Sequence, residues 1–266
     1  MPEGDIARRV AIRLTKALVG QPITYSQLRW PTLGAVSLTG QTIESIEAVG
    51  KHLLMHLDNQ NTFRTHLRMD GAWYIEKAVG PGRPARTGRA RSPKARAVIA
   101  NQQWVAIGWL LGMADLLRTR DLPRLLGHLG PDVMADGFDA EQAATRVLAQ
   151  GSRTIGATLL DQTVVTGIGT IYMAESLFRW RVRPDRPANQ TPDVPGLLDY
   201  AASILHRSVA AEGPTATGLT TAGEITMVHG RQHMPCRLCQ TPIEVMMVGL
   251  PPFDRPAWYC PACQPN

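Results

Sequence analysis

Hydrophobic residues follow two different periods along this 266-residue chain. Between residues 6 and 18, apolar residues recur every three or four positions and basic residues fill the other face, which predicts an amphipathic helix capped by Asp5. Short β-rich runs then follow one another as far as residue 100, which predicts an antiparallel sandwich or barrel. The predicted strands cover residues 23–30, 35–39, 42–49, 52–57, 62–68, 72–76 and 96–100, with a hairpin turn at 58–61.

Helical periodicity returns in the second half of the chain. The predicted helices cover residues 140–150, 155–162, 170–180 and 195–211. Residues 127–137, which include Pro131 and several glycines, indicate a domain boundary. Residues 213–223, rich in Gly, Thr and Pro, connect the helices to the C-terminal region.

Four cysteines near the C-terminus form two Cys-x-x-Cys pairs, Cys236 with Cys239 and Cys260 with Cys263, separated by twenty residues. In an intracellular protein this spacing favours one tetrahedral Zn²⁺ site on a β-hairpin over disulfides or unrelated thiols. Sulfur takes all four positions, so the expected zinc is structural and holds a hairpin too small to fold alone. The predicted fold class is therefore α+β, with an N-terminal helix and antiparallel β-sandwich domain at 1–130, a helical domain at 131–222 and a zinc-ribbon hairpin at 223–266.

The formal net charge of +6 comes from one segment, because the rest of the chain holds equal numbers of basic and acidic residues. Six basic residues lie within fourteen positions that contain no acid: Arg83, Arg86, Arg89, Arg91, Lys94 and Arg96. We interpret this Gly- and Pro-rich segment as a mobile basic loop, either a solvated linker or a nucleic-acid contact. No apolar run reaches the roughly 18 residues of a membrane span, and no secretory signal precedes the fold, so we expect a cytoplasmic protein.

The N-terminal residues offer candidate chemistry. Pro2 is small enough to permit removal of Met1, which would expose a secondary amine. An α-amino group titrates at a pKa of about 7.7–8.0, against about 10.4 for lysine, so it is the better nucleophile at pH 7. Its attack on a sugar aldehyde gives an iminium cation suited to β-elimination, and the adjacent Glu3 can transfer protons. The alternatives are routine methionine processing for Pro2 and a helix-start acid for Glu3.

Two turns are further candidates. Lys51 follows Gly50 at the start of an apolar strand and is either a solvated turn lysine or a cation for a phosphate or a leaving oxygen. Gly167 and Gly169 lie in a turn between two predicted helices. Glycines there allow the backbone to approach a ligand, and the amides of the following helix can bind a phosphate.

Together these motifs resemble the formamidopyrimidine-DNA glycosylase/endonuclease VIII family of base-excision repair enzymes over essentially the whole chain. The motifs are MPEG at the start, GKHLL at 50–54, THLRMDG at 65–71, GHLGPDVM at 127–134, GIGTIYMAESLF at 167–178 and CPACQ at 260–264. The PEG start is similar to the endonuclease VIII branch. The resemblance implies that the helical domain is a helix–two-turn–helix domain.

The resemblance also implies catalytic roles. Pro2 would be the nucleophile that displaces the damaged base and forms a Schiff base, with Glu3 as the acid/base. Lys51 would assist β-elimination. Arg255 would hold a DNA phosphate and support δ-elimination, while the zinc hairpin positions it.

A second set of residues is implied to contact DNA: Arg68, Met69, His128, Gly167, Gly169 and Thr170. Arg68 and Met69 would fill the gap left by the extruded base, although Met69 alone is also typical of a partly buried loop methionine. Thr170 stands where the family commonly has Asn, and His128 where some relatives have Arg. The Arg-Phe loop that many relatives insert opposite the lesion is not visible in the apolar residues 105–117. We therefore expect weak opposite-base discrimination and acceptance of single-stranded or forked DNA.

The implied function is a monomeric, bifunctional DNA glycosylase and abasic-site lyase that acts on damaged DNA and cleaves the strand by β,δ-elimination. Oxidised pyrimidines are the substrates expected from the branch, and one structural zinc is the only cofactor expected. Two other hypotheses remain: a catalytically inactive zinc-ribbon DNA-binding protein of the same fold, and an amine-dependent lyase for small carbohydrate aldehydes. The second would need neither a ribbon nor a phosphate clamp. Binding to DNA would place the protein at the nucleoid.

Overall fold

The computed structural model describes residues 2–79 and 88–265. Contacts divide this part of the chain into two compact units. The first contains Pro2 and Ile6–Gly127, and the second contains Glu3–Asp5 and residues 128–265. Among the described residues, no helix combines the length and the apolar character that crossing a bilayer requires.

The first unit is an antiparallel β-sandwich with a leading helix, α1, at Gly4–Leu18. One sheet has the strand order β1-β6-β7-β5 and the other the order β2-β3-β4-β8. A short helix, α2, follows at Leu122–Leu126. The strands are β1 Tyr25–Leu28, β2 Ile43–Val49, β3 His52–Leu57, β4 Asn61–His66, β5 Ala72–Lys77, β6 Ala95–Ala100, β7 Trp104–Trp109 and β8 Met113–Arg118.

Side chains from both sheets meet the apolar face of α1 in one core, which includes Leu14, Phe63, Trp73 and Ile99. The sandwich prediction is confirmed, because the amphipathic helix and the alternating strands each have one apolar face to bury. Three local predictions are wrong. Residues 35–39 form a turn and loop, and Asp5 lies inside the first turn of α1 instead of capping it.

The third error is the omission of β7 and β8 from the predicted strands. Val105 and Ile107 of β7 pack into a second cluster on the opposite sheet face from Ala106, so this strand is buried on both sides. A strand buried on both faces has a continuous apolar sequence and no alternation to detect.

The predicted mobile basic loop is also wrong where the structure describes it. Residues 89–91 form a 3-10 turn, and Ala95 already belongs to β6. Arg83 and Arg86 lie outside the described residues.

The second unit contains four helices and a C-terminal hairpin. The helices are α3 Ala140–Leu148, α4 Ile155–Leu160, α5 Thr170–Arg179 and α6 Val194–Ala210, and the hairpin strands are β9 Glu244–Val248 and β10 Arg255–Tyr259. The helices share one core, and Val248 and Ala257 of the hairpin belong to it. The four helices lie where the periodicity predicts them.

Candidate active site and DNA-contact residues

The Glu3 carboxylate is buried at the N-terminus of α5, with 1% of the residue exposed. Its Oε2 accepts hydrogen bonds from the N–H groups of Gly169, at 2.9 Å, and Tyr172, at 3.3 Å. Its Oε1 accepts one from the Ile171 N–H at 2.8 Å. These N–H groups have no partner within the first turn of a helix, and the helix dipole is positive there, so both favour a negative charge.

Two glycine motifs permit this approach. A Cβ on Gly169 would overlap the side chain of Glu3, and a Cβ on Gly4 would lie 3.1 Å from the carbonyl oxygen of Gly167. The Gly4 N–H donates to that same carbonyl at 2.9 Å. Gly167 itself has φ +101°, which residues with a side chain rarely adopt. Glu3 and Gly4 therefore contact the Gly167–Gly169 turn directly.

Gln162 holds the turn that precedes α5. Its Oε1 accepts from the Gly167 N–H and the Thr166 hydroxyl, both at 3.2 Å, and its Nε2 donates to the Ile168 carbonyl at 3.0 Å. Gly130, in the GHLGPDVM motif, packs against the same segment, where a Cβ would overlap the backbone of Val164. Sequence reasoning missed Gln162, because a polar residue at the end of a helix has no distinctive pattern.

The three α5 amides that bind Glu3 are not available to a DNA phosphate. This revises the expectation that they would bind one directly. The predicted contribution of Gly167, Gly169 and Thr170 to DNA binding stays a prediction, and it must use the other groups of the turn. Thr170 places its hydroxyl 3.4 Å from Nε2 of His229.

Asp5, which belongs to the second unit, bonds two helices of that unit. Its Oδ2 accepts hydrogen bonds from the Tyr172 hydroxyl and the Ser208 hydroxyl, both at 2.6 Å. Burial and the Asp5 charge raise the pKa of Tyr172, so its hydroxyl stays protonated and donates. The partners of Asp5 lie 167 and 203 residues away, which explains why the local pattern indicated only a helix cap.

Pro2 directly precedes Glu3 and is half-buried. Adjacent Cα atoms are about 3.8 Å apart, so the fixed Glu3 backbone determines where the Pro2 nitrogen can lie. A chain that begins at Pro2 would thus carry a secondary amine beside an anchored carboxylate.

In the first unit, a cluster of cations surrounds His66 at the end of β4. Lys51 lies in the two-residue turn that joins β2 to β3, where Gly50 has φ +56°. Burial, followed by the charges of Arg68, Lys51 and Arg64, lowers the pKa of His66 to about 4. The predicted residues Lys51 and Arg68 therefore share one electropositive end of the sandwich, which suits a phosphate backbone.

The loop after β4 holds Arg68 in a left-handed conformation with φ +56°, and its N–H donates to Nδ1 of His66 at 2.9 Å. The neighbouring Met69 is 63% exposed, so the suggestion that it is a partly buried loop methionine does not hold. Residues 110–112 form a short turn between β7 and β8, and a Cβ on Gly112 would overlap the Arg68 side chain.

The four cysteine sulfurs lie within 4.8 Å of one another. Cys236 and Cys263 are 3.9 Å apart at Sγ, and Cys239 lies 3.4 Å from both Cys260 and Cys263. Tetrahedral sulfur ligands at about 2.3 Å from zinc are about 3.8 Å apart, whereas a disulfide needs about 2.05 Å. The residues therefore fit a structural zinc and do not form disulfides.

A buried glutamine joins this cluster to the helices. Gln264 accepts from the Cys260 N–H at 2.9 Å through its side-chain oxygen, and its side-chain nitrogen donates to the Val182 carbonyl at 2.7 Å. The second cysteine-rich turn is thereby attached to the end of α5. No pattern in the sequence indicates a role for Gln264.

Arg255 begins β10 and is exposed, and its guanidinium donates to the Asp254 carbonyl at 2.8 Å. On the same strand, the Trp258 ring lies 4.2 Å from the ring of His229, centroid to centroid. Burial lowers the pKa of His229 to about 4, so this ring is neutral at pH 7. Its contact with Thr170 links the hairpin to the N-terminus of α5.

Glu175 is a second buried carboxylate on α5. It accepts hydrogen bonds from the N–H groups of Met227, Val228 and His229 at 2.7–2.9 Å, and burial raises its pKa. It anchors the loop that carries His229. His128, the remaining predicted contact, is exposed at the start of the second unit.

Comparisons with known proteins agree with this arrangement. Residues 1–104 match the formamidopyrimidine-DNA glycosylase N-terminal domain, and residues 129–219 match the formamidopyrimidine-DNA glycosylase H2TH domain. The chain belongs to the formamidopyrimidine-DNA glycosylase family. A probable endonuclease 8 2 of Streptomyces coelicolor is 36% identical over 99% of this chain and 94% of its own length.

Two further similar proteins are also DNA-repair enzymes of this glycosylase family. The DNA-(apurinic or apyrimidinic site) lyase Nei2 of Mycolicibacterium smegmatis is 31% identical over 99% of each chain. The structure of Lactococcus lactis Fpg with a DNA containing N7-benzyl-Fapy-dG has a TM-score of 0.82 and 25% identity, and covers all of both chains. The protein is therefore a DNA glycosylase and abasic-site lyase of base-excision repair, similar to the endonuclease VIII branch. The comparisons favour this class over the carbohydrate-aldehyde lyase.

Proposed function

We propose that this glycosylase removes oxidised bases, chiefly pyrimidines, by attack of the Pro2 amine on the damaged nucleotide, and then cleaves the strand by β,δ-elimination. The anchoring of Glu3 at the N-terminus of α5 is the observation that supports this most directly. It fixes a proton-transfer group one residue from the proposed nucleophile.

In this mechanism the Pro2 nitrogen attacks C1′ as the bond from C1′ to the base breaks. The base leaves with a proton supplied through Glu3, and protonation of the ring oxygen opens the sugar to an iminium ion. Loss of a proton from C2′ then expels the 3′ phosphate, and loss of a proton from C4′ expels the 5′ phosphate. Water finally hydrolyses the iminium ion and releases the Pro2 amine.

We assign the phosphates to the cationic residues. Lys51 stabilises the first leaving phosphate, and Arg255 binds the second, because a guanidinium can pair with two phosphate oxygens at once. Arg68 and Met69 occupy the space left by the extruded base, and the exposure of Met69 is consistent with this role. His128 and the Gly167–Thr170 turn contact the DNA backbone.

Zinc, bound by Cys236, Cys239, Cys260 and Cys263, would stabilise the fold of the hairpin that carries Arg255. It has no proposed role in the chemistry. The protein acts as a monomer, and the short β7–β8 turn favours weak discrimination of the opposite base. Turnover of one lesion in duplex, forked and single-stranded DNA tests this last point, since a strong preference for duplex with opposite-base selectivity would contradict it.

Borohydride trapping tests the mechanism. Protein without Met1 is mixed with abasic-site DNA and reduced, and a covalent protein–DNA adduct is expected. A variant with a peptide tag joined ahead of the first residue should give none, because its Pro2 nitrogen is an amide. The matched control carries the same tag after Asn266 and should trap normally. Retention of Met1 in active preparations, seen by mass spectrometry, would refute the proposal.

A further inference from the structure

A surface with aromatic and cationic side chains lies on the β-sandwich, on the sheet face opposite the α1 core. Here Val105, Ile107 and Ala90 form a small apolar cluster, with Tyr74 packed partly buried beside it. Trp109 lies two residues beyond Ile107 and therefore on the same face of β7. The Tyr74 and Trp109 rings meet edge to face, with centroids 6.1 Å apart.

Cations border both rings. The Arg89 guanidinium carbon lies 3.9 Å from the Tyr74 ring centroid, and Nζ of Lys94 lies 6.0 Å from the Trp109 centroid. The second distance is at the outer limit of a cation–π contact, so Lys94 covers the indole less closely than Arg89 covers the phenol. Glu76 is the acidic residue that lines the site, and it is paired with Arg89 at 2.6 Å.

The four residues Tyr74, Arg89, Lys94 and Trp109 are called the Trp109 patch. A cavity of about 610 Å³ opens at this patch and is lined by Tyr74, Glu76, Gly88, Arg89, Ser92 and Trp109. The indole of Trp109 is half-buried, so its remaining surface faces this space. The cavity is open and its lining combines aromatic rings with charged and small polar residues, which suits a flat ring with a charged backbone.

Arg29 holds the backbone next to the Trp109 patch in place. The Arg29 guanidinium donates to the carbonyl oxygens of Ala90 and Ser92, both at 2.8 Å. It fixes the segment that carries Arg89, so the cations are already positioned before a ligand binds.

The Trp109 patch is continuous with the electropositive end of the sandwich. The Leu110 N–H donates to the Lys94 carbonyl at 2.8 Å, and the Gly112 N–H donates to the His66 carbonyl at 3.0 Å. The turn at 110–112 therefore joins the patch to the loop of Arg68. Because Arg68 is a proposed DNA contact, the inference rests on the proposed function.

We infer that the Trp109 patch binds an unpaired DNA strand next to the lesion, with one base stacked on Trp109 and phosphates near Lys94 and Arg89. Aromatic rings flanked by cations are the usual means of holding single-stranded nucleic acid without sequence preference. Bases in a duplex are already stacked on their neighbours and offer no free face. The patch therefore raises affinity for single-stranded and forked DNA more than for duplex.

The test measures fluorescence anisotropy of labelled oligothymidylate, of a lesion-free duplex, and of an equally long tetrahydrofuran oligomer that has phosphates but no bases. Trp109→Ala should weaken oligothymidylate binding about 5- to 150-fold, the range for one base–aromatic stack, while Trp109→Phe should retain most of the affinity. Lys94→Ala should reduce the slope of log affinity against log salt by about 0.7. Because tetrahydrofuran resembles an abasic site and can also enter the active site, this oligomer is compared between proteins, and Trp109→Ala should bind it like the wild type.

Lys77→Ala is the matched control. Lys77 also stacks on a tryptophan of β7, with its Nζ 3.7 Å from the Trp104 centroid, but on the other face of the sheet. The Lys77→Ala variant should bind oligothymidylate with the same affinity as the wild type. Equal losses for Lys77→Ala and Lys94→Ala, or an equal loss of affinity for the two single-stranded oligomers in Trp109→Ala, would overturn the inference. The binding assay requires no chemistry, so failure of the proposed function would appear separately, as wild-type protein that never traps.

Discussion

Replacing Glu3 with glutamine separates the chemical role of this carboxylate from its structural role. Both carboxylate oxygens accept hydrogen bonds from α5, one from Ile171 and the other from Gly169 and Tyr172. Glutamine retains one oxygen and places an NH₂ group at the other position. At least one backbone N–H then faces another donor, and the negative charge at the helix N-terminus is lost.

The expected cost follows from these contacts. A buried N–H left without an acceptor costs about 1–3 kcal/mol, and the lost charge–dipole interaction adds about 0.3–1 kcal/mol. We therefore expect Glu3→Gln to lower the free energy of unfolding by about 1–4 kcal/mol, or the Tm by roughly 3–15 °C. Base excision should fall further than folding explains, by about 10²–10⁴-fold, because a positioned proton-transfer group contributes this much to rate.

Glu175→Gln is the matched control. Glu175 lies on α5, is also buried and also accepts hydrogen bonds from three backbone N–H groups. Single-turnover excision of an oxidised pyrimidine is measured for both variants at least 15 °C below the lower Tm, together with thermal unfolding by circular dichroism. Glu175→Gln should lose stability and keep excision near the wild-type rate. If the two variants lose excision equally, or if Glu3→Gln remains active, Glu3 is only a structural anchor.

Three other perturbations have defined outcomes. Gly169→Ala should destabilise the second unit by at least about 2 kcal/mol, because its Cβ would overlap Glu3, whereas Gly213→Ala, which has open space and ordinary backbone, should change the Tm by less than about 2 °C. Cys260→Ser, or removal of metal by a chelator, should unfold the hairpin and abolish strand cleavage, and activity in verified zinc-free protein would contradict this. His66 has a pKa of about 4 in the folded protein and about 6.5 in the unfolded chain. Its contribution to the free energy of unfolding is therefore complete above pH 6.5 and declines by up to about 3 kcal/mol as the pH falls to 4. Urea unfolding across that range should show this decline, and His66→Gln should reduce it.

The helices of the second unit were predictable because each buries one stripe of a regular pattern. Leu197, Ala201, Leu205 and Ser208 of α6, for example, recur at helical spacing and are all buried. The same rule fails for β7, where Val105, Ala106 and Ile107 are buried in succession because clusters cover both faces of the sheet. Hydrophobic periodicity in a sequence reveals a helix or strand only when one face of that element is exposed to solvent.

The four cysteines were predictable for a different reason. Their spacing carries the ligand set in the sequence itself, so the positions of Cys236 and Cys260 needed no knowledge of the fold. The partners of Gln264 and Gln162 could not be found this way. Each of these side chains bonds backbone groups, and any residue can supply a backbone carbonyl or N–H.

The N-terminal residues show how local reasoning can miss the contact that joins two candidate motifs. Local reasoning gave Glu3 a proton-transfer role and gave the glycine turn a separate role in binding phosphate. The structure joins them, because the amides expected to bind phosphate bind Glu3 instead. Folding of the second unit therefore fixes the residue next to Pro2. A helix terminus of the kind that attracts anions here binds the protein's own carboxylate, so our proposal assigns the DNA phosphates to other cations, Lys51 and Arg255.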